Sequence, residues 1–314
     1  VNIFKRALAA GSILSGSSLE VCVRRGYALL ERSARRSIAL FIQQSSSSEG
    51  GFVNRAGSGD VYYTLWGSIL SRALKVKIDR NALRSYARGL SLAACSSRAD
   101  ALSAVILLYD SAGDARRALQ LFDELKNYSA AYTPVNESYS LFLEALTLLR
   151  LKKFPDCLRL VEPCASDDAA VPSLPTPLLA ARLVLLHIRS SLPPLLFGDK
   201  KINSHKIDLH NYLPSSASAQ AAEKKLLCDE IIGRMKSSGG ISASRSIASA
   251  DLLSSAVGVY ALNFCKFDLR LYRVDLLNYV ISLYSEGSFL AVPGDHAGDI
   301  EYLFYGLLAL GALS

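Results

Sequence analysis

Two short stretches hold the side chains with which this chain could do chemistry: Asp60, Tyr62 and Tyr63 near its start, and Asp299, Glu301 and Tyr302 near its end. Each stretch opens an apolar run, so Asp60 and Asp299 stand where a helix begins. A carboxylate there accepts hydrogen bonds from the free N–H groups of the first turn and suits the helix dipole. Where such helix starts converge, the carboxylates become candidates for acid–base work, and Asp60, Asp299 and Glu301 are the candidate catalytic residues. Trp66 and Tyr305 continue the aromatic surface begun by Tyr62, Tyr63 and Tyr302, a surface suited to an apolar ligand or a cation. The same rings would also fill an ordinary helix–helix contact. His296, in the loop before Asp299, is either a further group at this mouth or a turn residue.

Other candidates fare less well. His205, Asp208 and His210 lie within six residues but match neither a helical i, i+4 pair nor a zinc finger. Asp167-Asp168 falls in a loop rich in Pro and Ala, where a solvated pair is the plainer reading. The six cysteines, Cys22, Cys95, Cys157, Cys164, Cys228 and Cys265, never form a C-x-x-C pair. Scattered in this way they read as free thiols of a reducing compartment, and the expected location is cytoplasmic.

The two stretches belong to a repeat. Glu49-Gly50-Gly51-Phe52, Gly57 and Gly59-Asp60-Val61-Tyr62-Tyr63-Thr64-Leu65-Trp66-Gly67 has its counterpart in Glu286-Gly287-Ser288-Phe289, Gly294, Gly298-Asp299-Ile300-Glu301-Tyr302 and Gly306. A weaker copy runs from Gly239-Gly240-Ile241 to Asp251-Leu252-Leu253. From that copy to the last, Gly239 to Gly287 and Asp251 to Asp299, both landmarks advance by 48 residues. A fixed period of this size marks stacked helical hairpins, none of which can bury its apolar face alone.

The Gly-Gly-Phe corner followed by Asp-x-x-Tyr-Thr-Leu-x-Gly resembles the repeat of protein prenyltransferase β subunits and squalene-type terpene cyclases, best over 38–75 and 276–313. The resemblance implies an all-α fold, an (α/α)6 toroid in which inner helices form a barrel whose mouth is ringed by their first turns. It also implies a zinc site made by an Asp and a Cys two residues apart and a later His. Here Asp60 is followed two positions on by Tyr62, Asp251 by Leu253 and Asp299 by Glu301, while Tyr302 stands at the His position. The Asp-rich acid motif of the cyclases is absent too. No metal site and no cofactor is therefore expected.

Apolar periodicity supplies the elements. Amphipathic segments at 80–95, 114–127, 153–163, 217–237 and 267–284 alternate with nearly all-apolar ones at 60–74, 100–112, 137–151, 177–191, 251–264 and 299–313. A helix apolar on every side must be surrounded by protein. With a first long helix ending near Gln44 counted as outer, six outer-then-inner pairs result. Inner starts are expected at Asp60, Asp100, Glu137 (or Asn136), Thr176, Asp251 and Asp299. The chain then divides into a loose lead-in at 1–18 and one domain over 19–314, with an insertion at about 192–215. The segment 110–122 also resembles a tetratricopeptide-type hairpin, so an open solenoid is the competing architecture for the middle third.

Composition narrows the function. Half of the 314 residues are hydrophobic, and the net charge of +7 comes without a basic stripe interleaved with aromatics, which argues against a nucleic-acid binder. Arg24, Arg25, Arg32, Arg35 and Arg36 read as a solvated outer face. No apolar run reaches the length of a membrane span. The expected function is a divergent prenyltransferase-like or cyclase-like toroid that binds an isoprenoid-like ligand, or acts on one, in a central apolar cavity. The alternative is a non-catalytic helical-repeat scaffold that docks a protein partner on its outer helices.

Overall fold

In the computed structural model the structure describes residues 17–127, 143–144, 146–148, 150–151, 168–191 and 217–314. The expected cap at 136–137, the outer helix at 153–163, Cys157, Cys164, Asp167 and the insertion with its His205, Asp208 and His210 lie outside them. The described residues are mostly helical: α1 (Ser17–Leu29), α2 (Arg32–Gln44), α3 (Val61–Leu74), α4 (Arg80–Gly89), α5 (Arg98–Asp110), α6 (Ala115–Asn127), α7 (Thr176–Ser191), α8 (Ala217–Ile232), α9 (Leu252–Phe264), α10 (Arg273–Ser282) and α11 (Ile300–Ala312). Two short hairpins interrupt them, β1 (Phe52–Val53) paired antiparallel with β2 (Gly59–Asp60), and β3 (Tyr284–Ser285) with β4 (Ser288–Phe289). No described helix is long and apolar enough to cross a membrane.

The helices begin where polar side chains stop the backbone. Asp60 accepts from the N–H groups of Tyr62 and Tyr63, Asp251 from Ser254 and Asp299 from Tyr302, at 2.7–3.0 Å. α5 starts earlier than expected. Ser97, not Asp100, is its cap, and Asp100 returns the bond to the cap's backbone N–H, a reciprocal capping box. Thr176 does not cap α7 but donates its hydroxyl to the carbonyls of Ser242 and Ala243.

The three Gly-rich corners share one construction. Gly50, Gly239 and Gly287 hold φ of +95°, +93° and +90°, a region other residues rarely adopt. Two residues on, Phe52, Ile241 or Phe289 turns inward and is fully buried. Phe52 and Phe289 each lie over a glycine of the following helix: a Cβ at Gly67 or Gly306 would fall 2.3–2.7 Å from the ring. Each corner also rests on an outer helix. Gly50 meets the backbone of Ala82 in α4, Gly239 that of Asp275 in α10, and Gly287 that of Ser37 in α2.

That last contact closes the chain on itself. The first two corners lean on the outer helix that comes next, whereas the final corner leans on one near the beginning. In step with it, α11 packs against α3, and neighbouring pairs α3–α5, α7–α9 and α9–α11 continue the row. The tetratricopeptide-type reading of the middle third falls in part on residues outside the described ones, and these end-to-end contacts do not bear on it.

A further expectation fails. The first long helix is broken at Leu30-Glu31 into α1 and α2, and α1 is not an outer helix. It crosses α11 so closely that a Cβ at Gly26 would meet the Leu307 carbonyl at 2.1 Å, and one at Gly311 the Cys22 carbonyl at 1.8 Å. Beyond that crossing Glu20 pairs with Arg72 of α3 and Arg150, and both arginines pair with Asp110 of α5, all at 2.7–3.0 Å. α1 is thus tied to the C-terminal ends of inner helices, opposite the caps.

Candidate functional site

The first turns of α3 and α11 bring the predicted site residues together. Tyr62 donates its hydroxyl to Glu301 at 2.7 Å, and Tyr63 donates to Asp299 at 3.4 Å. These pairs span more than 230 positions of sequence. Asp60 lies at the same end, on its own helix N-terminus.

Between the corners stands Arg55, which the sequence reading missed. Its Nε donates to Asp299 at 2.6 Å and its Nη2 to Asp295 at 3.0 Å, while its guanidinium lies 5.3 Å from the centre of the Tyr302 ring. The signal was present: Arg55 and Asp295 are opposite charges at the tips of the first and last corners. Asp299 is buried, so this ion pair is more than a surface contact.

Electrostatics here favours hydrogen-bond donation over proton abstraction. Burial raises the Tyr63 phenol, and the Asp299 and Glu301 carboxylates raise it further. Burial raises Tyr302 too, with Glu301, Asp299 and Asp251 adding to it. Both phenols therefore stay protonated at neutral pH. Burial raises the Asp60 carboxyl against the Tyr63 N–H bond that favours its charge. Burial likewise opposes ionisation of Asp295 and is the largest single influence on it, but the Arg55 hydrogen bond, the N–H groups of His296 and Ala291 and the Arg55 charge together outweigh it and hold this carboxyl below its ordinary value. Tyr302 keeps its hydroxyl unengaged by any described residue, at a half-buried position.

The remaining predicted residues divide by depth. Trp66 and Tyr305 are fully buried against each other, with ring centroids 5.6 Å apart, and Phe304 completes the cluster 4.2 Å from Trp66. They form the α3–α11 contact, with Tyr62 standing edge-on to Trp66 at 5.7 Å. His296 is exposed in the turn between the corner tip and Asp299.

The residues present do not fit the family's zinc. Asp60, Asp251 and Asp299 each spend a carboxylate oxygen on helix N–H groups, Asp299 spends the other on Arg55, and no thiol or imidazole of a described residue completes a ligand set with them. Among the described residues no three His, Cys, Asp or Glu side chains are grouped so that they could hold a metal ion. The described cysteines lie elsewhere, and burial raises the thiols of Cys22 and Cys265 to about 12 and those of Cys95 and Cys228 to about 11. No protein-family model matches the chain, and no curated protein matches it.

Proposed function

We propose that this chain is a six-hairpin α/α toroid related to prenyltransferase β subunits and terpene cyclases, and that it binds an isoprenoid-like ligand at its mouth without the zinc or Asp-rich chemistry of those families. The observation that carries this reading is the rim of half-buried Tyr62, Tyr63 and Tyr302 in front of a buried aromatic cluster. Tyr302 has a hydroxyl to offer a ligand, and the other two are held in place by Glu301 and Asp299.

Charge selects among isoprenoid-like ligands. Asp60, Asp251, Asp295, Asp299 and Glu301 gather at this end of the helices, and Arg55 is already paired twice. A diphosphate would meet like charge there, whereas an uncharged prenyl alcohol or a prenyl amine would not. The test is thermal stabilisation by farnesol, a farnesyl amine and farnesyl diphosphate in parallel, with Tyr302→Phe as the site variant. A ligand at about a hundred times its Kd stabilises by roughly 2.7 kcal/mol. The alcohol or amine should raise Tm in the parent and less in the variant. Absence of stabilisation by all three would sink the ligand reading.

A second reading has an observation of its own. Trp66 and Tyr305, expected along a cavity wall, pack on each other, and every predicted catalytic carboxylate has an internal partner. Those facts favour a non-catalytic scaffold, which predicts no response to any isoprenoid.

A further inference from the structure

The outer surface of the first helices concentrates the protein's positive charge. Between residues 17 and 90 there are 12 Lys or Arg against five Asp or Glu, a surplus equal to the net +7 of the whole chain. Two of those arginines, Arg55 and Arg72, and the acids Glu20 and Asp60 are used internally. Arg24, Arg25, Arg32 and Arg36, by contrast, are exposed and form no ion pair with a described residue. Exposed Lys75 and Lys77 follow α3 near the C-terminal end of α2, where Gln43 donates to the Lys77 carbonyl at 3.2 Å.

Leucines are set among these charges. Leu29 is 57% exposed and Leu40 51%, although Ile38 and Ile42 of the same helix are fully buried. An amphipathic helix needs apolar residues on its inner face only, so Leu40 on the outer one has no folding role. The rings of this region are not available for stacking: Tyr27, Phe41 and Tyr86 are half-buried, and the Tyr27 hydroxyl donates to the Arg35 carbonyl. A single-stranded nucleic acid uses basic side chains with aromatic platforms and a duplex needs only the basic ones, whereas a bilayer interface takes basic side chains with aliphatic ones, as are present here.

We propose that the exposed face of α1 and α2, with Arg24, Arg25, Arg32 and Arg36 around Leu29 and Leu40, docks the protein on an anionic lipid surface. The arginines meet the headgroups and the leucines enter the boundary between headgroups and acyl chains. This is peripheral attachment; no described helix is long and apolar enough to span the bilayer. The proposal stands apart from the ligand reading, because these residues lie outside the tyrosine rim.

The experiment is co-sedimentation of the full chain with vesicles of phosphatidylcholine alone and of phosphatidylcholine with phosphatidylglycerol, at low and high salt. Binding should require the anionic lipid and fall with salt. Changing all four arginines to Gln should weaken it roughly a thousandfold, from the contribution of each basic side chain near a charged surface. Leu29→Ser with Leu40→Ser should weaken vesicle binding by a further roughly tenfold while leaving binding to a duplex oligonucleotide unchanged. All six side chains are exposed, so circular dichroism and Tm should match the parent. The proposal is overturned by no vesicle binding, by equal binding to neutral vesicles, by undiminished binding of the Gln variant, or by binding to the oligonucleotide alone.

Discussion

Replacing Arg55 by Met tests the contact between the two ends of the chain, because its partners are 240 and 244 positions away. The change removes the guanidinium and leaves an apolar stem over Tyr302. Asp299, 5% exposed, then loses its bond at 2.6 Å and keeps the Tyr302 N–H and the long Tyr63 contact. Breaking a buried pair costs about 3–5 kcal/mol and an exposed one about 0–1. With Arg55 41% exposed, the expected loss lies between these limits, about 2 kcal/mol. That corresponds to a fall in Tm of roughly 3 °C for a chain of this size. The sign of the pH dependence follows from Asp295, whose folded pKa is lowered. Its contribution is complete above the unfolded carboxylate value, about 3.9, and is lost as pH falls through the lower folded value. The gap between parent and variant should therefore be full at neutral pH and narrow below about pH 4. Asp299→Asn keeps an acceptor for the cap, so a cycle of Arg55→Met and Asp299→Asn isolates the ion pair. A coupling of about 1–2 kcal/mol is expected, and additivity within about 0.3–0.5 kcal/mol would refute the clasp.

Three further outcomes follow from buried groups. Gly306→Ala should destabilise by about 1–3 kcal/mol, despite the better helix propensity of Ala, because its Cβ would strike the Phe289 ring. The loss should shrink in a Phe289→Leu background, measured by urea unfolding. His187, held near pKa 4 by burial and by Lys224 and Lys266 rather than at 6.5, takes up a proton more readily when unfolded. Its contribution is complete above pH 6.5 and lost as pH falls towards 4, and His187→Gln should flatten that part of the urea-midpoint profile. Cys22 and Cys265, at about 12 against 9.0, carry roughly a thousandfold less thiolate than an ordinary cysteine. Mass spectrometry after iodoacetamide treatment should find both modified only once the chain is unfolded.

What the sequence disclosed was local. A glycine with positive φ, a phenylalanine two residues later and an aspartate at the next helix start are each fixed by nearby backbone geometry. They could be read without knowing what lies across the molecule. The capping box of α5 was equally local, and the misreading there was to choose the charge of Asp100 over the hydroxyl of Ser97. The break before α2 left no such mark: Leu29, Leu30 and Ile38 keep helical spacing through it, and neither Pro nor Gly stands at Leu30-Glu31. Nor could spacing pair Gly26 with Gly311, whose backbones meet because neither carries a side chain. Trp66 and Tyr305 show the limit most clearly. Their residue type suits a cavity wall and a helix contact alike, and only the approach of α3 to α11 decides their burial.

The carboxylates at the mouth have a cause that precedes any ligand. The helices α3, α9 and α11 present the positive ends of their dipoles there, and Asp60, Asp251 and Asp299 complement them while satisfying N–H groups that would otherwise lack partners. Gathering helix starts at one end therefore gathers negative charge as a by-product of capping. Arg55 then neutralises part of it where the first and last corners meet, which is where two such starts come nearest. A row of acids in this architecture is consequently weak grounds for catalysis. The side chain whose position capping and closure leave unexplained is Tyr302, half-buried, protonated and with its hydroxyl unspent on any described residue, and the case for a ligand rests on it.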